Sequence, residues 1–172
     1  MVQITGTRTW TESERVYNLT VQDLHTYYVL TGDTPLLTHN CSPAEPLADR
    51  AHQIWSQLPT GHPRNSSSVA VVAAQTSRGV VHVVAGSGRG LTPAQRSSLT
   101  GNEIPARNIP GTDAEQNALL FINSMNWSPI MGGSSRPVCS KICAPLIRAT
   151  GGRVSGEVLK GTHGTQIRTF EW

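Results

Sequence analysis

Four side chains in two short stretches have the types and spacing to bind a metal and move protons. In PGTDAEQNALLFINSM, Asp113 and Glu115 stand at the head of an amphipathic run, and in SRPVCSKIC, Cys139 and Cys143 follow. A hydrolytic zinc centre needs three protein ligands and one open position for water, and carboxylate oxygen and thiolate sulfur are both accepted ligands. A neighbouring carboxylate that does not ligate can carry protons. The same residues have a plainer reading. Acids in a first helical turn complement the helix dipole, and cysteines are often small buried core residues.

The elements that must position these residues can be read from periodicity. The spacing predicts a helix from Thr112 or Asp113 to about Met125, burying Ala114, Ala118, Leu119, Ile122 and Met125. If Cys139 and Cys143 share a helix, positions i and i+4 lie on one face with Cβ atoms roughly 5–6 Å apart. An earlier helix is expected in AEPLADRAHQIWSQL, with Leu47, Ala51, Ile54, Trp55 and Leu58 on its apolar side. VAVVAA and GVVHVVAG, joined by QTSRG, read as a hairpin. A long Gly/Pro-rich connection follows, with one helical turn at TPAQRSSL. SPIMGGSS is a strand, CAPLIRATGG a short helix, and RVSGEVL and TQIRTFEW are closing strands. From Ala44 the order is α-β-β-α-β-α-β-β. GSGRG lacks a following helix of the right kind and is not a nucleotide fingerprint.

Composition sets the outer bounds. The 172 residues, 37% hydrophobic, suit one domain with an appendage. No apolar run reaches a membrane span, so no membrane partner is expected, and MVQITGTRTW has no signal-peptide core. Three cysteines are too few for a disulfide scaffold. Charge is uneven: residues 1–43 carry two arginines against four acids, whereas the rest carries twelve basic and seven acidic residues. A basic domain is compatible with a polyanionic partner such as nucleic acid.

The first forty residues differ in character, with RVYNLTV and TYYVL rich in β-branched and aromatic residues and TGDTP as a turn before LLTH. VYNLTVQDLHTYYVLTGDTPLLTHNC, residues 16–41, resembles the C-terminal end of a Hint (hedgehog/intein-type) module of the pretoxin sort found in bacterial polymorphic toxins. The resemblance implies that Asn40 cyclises on its own carbonyl, helped by His39, and breaks the bond to Cys41. A side-chain amide can attack its own peptide carbonyl, and an imidazole can protonate the leaving amine. The alternative is a hairpin ending in an ordinary Asn turn. Residues 1–40 are thus expected to be a short all-β Hint remnant, and the chain the C-terminal piece of a longer protein.

GLTPAQR, AEQNAL and SRPVC carry a second resemblance. Residues 47–172 resemble the bacterial toxin branch of the cytidine deaminase-like superfamily. In zinc deaminases one His and two Cys ligate, with H-x-E on one helix, P-C-x-x-C on the next, and the Glu moving protons. The resemblance implies an α/β fold for residues 41–172, a mixed β-sheet sandwiched by helices with a β-β-α-β-α-β core. It assigns Asp113, Cys139 and Cys143 to zinc and Glu115 to catalysis. Two departures stand out: Asp113 replaces the usual His, and three residues rather than two separate the cysteines. One carboxylate and two thiolates place more negative charge on Zn²⁺, which lowers the pKa of its water less.

Asn65 resembles the position where this superfamily presents a polar side chain to substrate. Arg136 can meet a phosphate or sugar, or be solvated, and Trp127 can stack on a base or pack at the core's rim. His82, in VVHVV, is a packed strand histidine and the substitute ligand should Asp113 not bind. His52, His62 and His163 read as surface residues. The expected function is a zinc-dependent hydrolase: a nucleic-acid base deaminase toxin, acting first on cytosine in DNA or RNA and released at the bond between Asn40 and Cys41. The alternatives are a catalytically degenerate binding domain and a deaminase of free nucleosides or nucleotides. The resemblance further implies a cognate immunity protein, secretion within a larger bacterial toxin, and action in the target-cell cytoplasm.

Overall fold

A computed structural model describes residues 26–31, 34–39, 43–155 and 168–172. The chain divides into two compact units, Met1–Cys41 and Ser42–Trp172. In the first, strands β1 (Thr26–Thr31) and β2 (Thr34–His39) form an antiparallel hairpin with Thr31 opposite Thr34 and Thr26 opposite His39. The expected hairpin therefore forms, while RVYNLTV lies outside the described residues.

The second unit is mixed α/β. Helix α1 (Glu45–Trp55) and a single turn, α2 (His62–Asn65), precede a hairpin of β3 (Val69–Thr76) and β4 (Gly79–Gly86). Then come α3 (Pro93–Ser97), β5 (Glu103–Pro105), α4 (Ala114–Ser124), β6 (Ser128–Ser134), α5 (Cys143–Ala149), β7 (Arg153–Ser155) and β8 (Thr169–Glu171). The six strands pair in the order β5-β4-β3-β6-β8-β7. Among the described strands of this sheet only β4 and β5 are parallel; the other neighbours are antiparallel. No helix among the described residues is long and apolar enough to cross a membrane.

β3 is apolar along most of its length because both its faces are covered. Val72 and Ala74, with Val83 and Ala85 of β4, pack on Ala118, Leu119 and Ile122 of α4. Val69, Val71 and Ala73, with Val84, pack on Leu47, Ala51 and Ile54 of α1. Alternate residues thus serve opposite layers, as the strand period requires. The α1 layer is drawn close by Gly133, where a Cβ would collide with the backbone of Ala48, while the Phe170 ring lies over Gly132. Arg50 of α1 forks onto Glu103 of β5, Nε to Oε1 at 2.7 Å and Nη2 to Oε2 at 2.8 Å.

Three expectations need correction. Met125 is not core but 46% exposed, because α4 ends at Ser124 and the chain turns away through Asn126 at φ 54°. The long connection holds not only α3 but also β5. α3 starts with a Thr92–Gln95 capping box, and Gln95 Nε2 donates to the Ile54 carbonyl at 3.1 Å. Finally, Cys139 and Cys143 do not lie along one helix. α5 begins at Cys143, and Ala144 N–H reaches back to the Cys139 carbonyl at 2.9 Å. A helix starting at Cys139 would put Pro145 in its interior with no N–H to give, whereas a start at Cys143 keeps proline in the tolerated first turn.

Candidate functional site

The site lies where β4 and β6 end and β3 begins. The glycine-rich turn after β4 shapes it first. Gly88 and Gly90 have φ of 60° and 78°, a region L side chains rarely enter. Gly88 N–H then bonds the Thr112 carbonyl at 3.2 Å. Ser87 reaches the other side, its Oγ accepting from Ser68 N–H at 2.8 Å. The turn ties the segment before β3 to the segment before α4.

Asn117 fixes the latter segment. It is 1% exposed, and its Oδ1 accepts from Ile109 N–H at 2.9 Å and from Thr112 Oγ1 at 2.7 Å. Its Nδ2 donates to the Gly86 carbonyl at 2.9 Å and to Asn108 Oδ1 at 3.2 Å. Sequence reasoning did not single out Asn117. The available signal was a polar residue on the stripe of α4 that carries Ala114, Ala118 and Ile122.

So held, Asp113 takes the N-cap position of α4 with extended φ/ψ, and Gln116 Oε1 accepts its N–H at 3.0 Å. Glu115, in the first turn, is 3% exposed. Cys143 is fully buried and contacts both acids: its thiol donates to Asp113 Oδ2 at 3.3 Å and to Glu115 Oε2 at 3.6 Å. Burial pushes the Glu115 carboxyl above its ordinary value; Asp113 adds to that, while its own backbone, Ser134 and Cys143 oppose it. Burial, then the charges and hydrogen bonds of Glu115 and Asp113, push the Cys143 thiol up as well.

Asp113, Glu115, Arg136, Pro137 and Cys139 line one cavity of about 310 Å³, completed by Ser66, Ser67, Ser68 and Ser87. A second cavity of about 440 Å³ adjoins it across Arg136 and Pro137. Asn65, exposed at the end of α2, lines the second cavity and not the first, and its carbonyl accepts from Arg136 Nη1. Trp127 lines neither. It packs edge-on against Phe121, centroids 5.9 Å apart, at the far end of α4. His82 is paired with Ala73, on the α1 side of the sheet, and lines neither cavity. His39 closes β2, while Asn40, Cys41 and His163 lie outside the described residues.

Among the described residues, no group of three or more His, Cys, Asp or Glu side chains stands close enough together to hold a metal ion. Part of a ligand set is nonetheless in place. Two donors of a tetrahedral zinc, one sulfur and one oxygen, are about 3.5 Å apart by the bond lengths involved; Cys143 Sγ and Asp113 Oδ2 are at 3.3 Å. Cys139, half-buried and free, lies on the wall of the same cavity. The chemistry of this donor set fits zinc. No protein-family model, curated protein or solved structure matches the chain.

Proposed function

We propose that residues 41–172 are a nucleobase deaminase of the cytidine deaminase-like fold, acting on cytosine in nucleic acid. The observation that carries this reading is Glu115, a carboxyl almost wholly buried yet forming part of a cavity wall, with Asp113 and Cys143 against it. Asp113, Cys139 and Cys143 would hold zinc, which when bound supplies the Lewis acidity that makes water nucleophilic near neutral pH.

Glu115 takes the proton of the water that adds to C4 of the base. It returns protons to N3 and to the departing amine, so that cytosine and water become uracil and ammonia. Asn117 and the glycine turn position the head of α4, and hence Glu115. Arg136, which lines the cavity, would meet a phosphate.

Upstream, residues 1–40 would be the end of a Hint module. Asn40, aided by His39, would release the segment starting at Cys41. The division of the chain after Cys41 supports this reading. A secreted parent toxin, action in the target-cell cytoplasm and a cognate immunity protein belong to the same proposal.

A second reading has an observation of its own. Asp113 stands where the deaminase pattern has His, and the ligands are not all gathered, as in a degenerate domain that binds without catalysis. Ammonia release from cytosine-containing DNA, RNA and free nucleosides, with zinc supplied, separates the readings. Release from a polymer supports the proposal, release from nucleosides alone makes it a metabolic deaminase, and none from any substrate favours the binding domain.

A further inference from the structure

The second cavity has no part in the chemistry at Glu115, yet it shares Arg136 and Pro137 with the first as a common wall. Its remaining sides are His52 and Trp55 from α1, Asn65, Ser135 and Arg168. Among the described residues no carboxylate lines it. Among the described residues Arg136 has no acidic partner, and Arg168 has only a long contact to Asp49 at 3.9 Å. Two cations thus line one recess, the nearest carboxylates being Asp49 beside Arg168 and the acids of the first cavity. Such a place attracts an anion.

The side formed by α1 is aromatic, and its Trp55 is fixed in advance. The Trp55 indole N–H donates to the carbonyls of Ser67 at 2.9 Å and Arg64 at 3.1 Å, which locks its ring. His52 leans on it with centroids 5.1 Å apart, and the Arg64 guanidinium sits 5.4 Å from its centroid. A locked indole and an adjacent imidazole beside cations are the elements of a site for single-stranded nucleic acid, in which bases stack and phosphates meet Arg. At about 440 Å³ the recess is within the ordinary range of ligand pockets.

We propose that this cavity seats the neighbouring nucleotide of a single-stranded substrate, its linking phosphate lying against Arg136 as the target base enters the Glu115 cavity. The inference rests on the deaminase reading and makes its substrate a polymer. A mononucleotide fills one cavity; only a phosphodiester-linked chain fills both.

The test is fluorescence polarisation with labelled, single-cytosine DNA and RNA nonamers, with CMP and dCMP as competitors, on the intact chain and on Arg168→Gln and His52→Ala. Arg168→Gln should weaken oligonucleotide binding roughly 10-fold and reduce the salt slope by about one. His52→Ala should weaken it by about 5-fold or more through lost stacking. Competition by the mononucleotides should stay within about 2-fold for both variants, because their own cavity is untouched. The DNA and RNA arms report which sugar the site accepts. Nonamers that bind no better than the mononucleotides, or bind both variants as tightly as the wild type, overturn the proposal. His52→Ala, on an exposed helix face, decides the matter if Arg168→Gln unfolds. Ammonia assayed in parallel keeps the two readings apart. Lost binding in the variants without any ammonia upholds the subsite and sinks the chemistry, whereas ammonia with indifferent variants sinks the subsite alone.

Discussion

Cys143 and Asp113, thirty positions apart in the chain, meet side chain to side chain, the thiol donating to Oδ2 at 3.3 Å. Glu115 completes the contact at 3.6 Å. A buried thiol facing two carboxylates is a poor way to stabilise a metal-free core, since any ionisation there repels its neighbours. A cation would relieve that repulsion.

Zinc should therefore stabilise the wild-type protein. At a free concentration of roughly 100 times Kd, binding adds about 2.7 kcal/mol, a Tm rise on the order of 5–10 °C for a domain of this size. Cys143→Ser should lose most of that increment, whereas Asp113→His, which supplies a neutral ligand instead of a charged one, should keep it. Differential scanning fluorimetry with zinc and chelator reads both. A wild-type Tm indifferent to zinc would remove the metal from the account.

Asn117→Ala should cost about 1–3 kcal/mol, because it strands the Gly86 carbonyl in a buried setting and the Ile109 N–H in a partly buried one. Hydrogen exchange should quicken at residues 108–112 before the sheet is affected. Unchanged protection of Ile109 N–H would mean that the loop is held by something else.

The layers of the fold were legible because they rest on period. β3 and β4 showed as apolar runs, and the stripes of α1 and α4 place Leu47, Ala51, Ile54, Ala118 and Ile122 in the core as expected. The failures have physical causes. β5 is only three residues long and gains its place by pairing with β4 and by the Arg50–Glu103 fork, contacts that no local pattern encodes. The spacing of the cysteines suited one helical face, but α5 starts at Cys143, where the CAPLIRATGG run begins, and leaves Cys139 outside it. At the site, the residue types at Asp113, Glu115, Cys139 and Cys143 were readable; Cys143 meets Asp113 and Glu115, and Cys139 shares a cavity wall with the two acids without joining that contact. The second cavity was not readable, since Trp55 and Arg168 converge on it from opposite ends of the domain's sequence.

The Arg50–Glu103 fork gives a stability term with a known pH sense. The hydrogen bond from Arg50 holds the Glu103 carboxyl below its ordinary 4.5, against the opposing effect of burial. A depressed carboxyl stabilises the fold fully above that ordinary value, and the contribution is lost as pH falls through the lower, folded-state value. Arg50→Ala should cost about 2–3 kcal/mol at pH 7. The gap between variant and wild type should close in acid, below the ordinary carboxyl value. Urea melts at several pH values check this; a gap that is constant into strong acid would contradict it.

The proton-carrying role of Glu115 meets its most direct test in the product. Zinc-loaded wild type and Glu115→Gln, matched for metal content and Tm, would be incubated with a cytosine-containing oligonucleotide, and uracil formation followed by mass spectrometry. The wild type should convert cytosine to uracil, and the variant should be slower by at least the ~10²–10⁴ that a lost general acid/base removes. Equal rates of uracil formation in the two folded, zinc-loaded proteins would contradict the account.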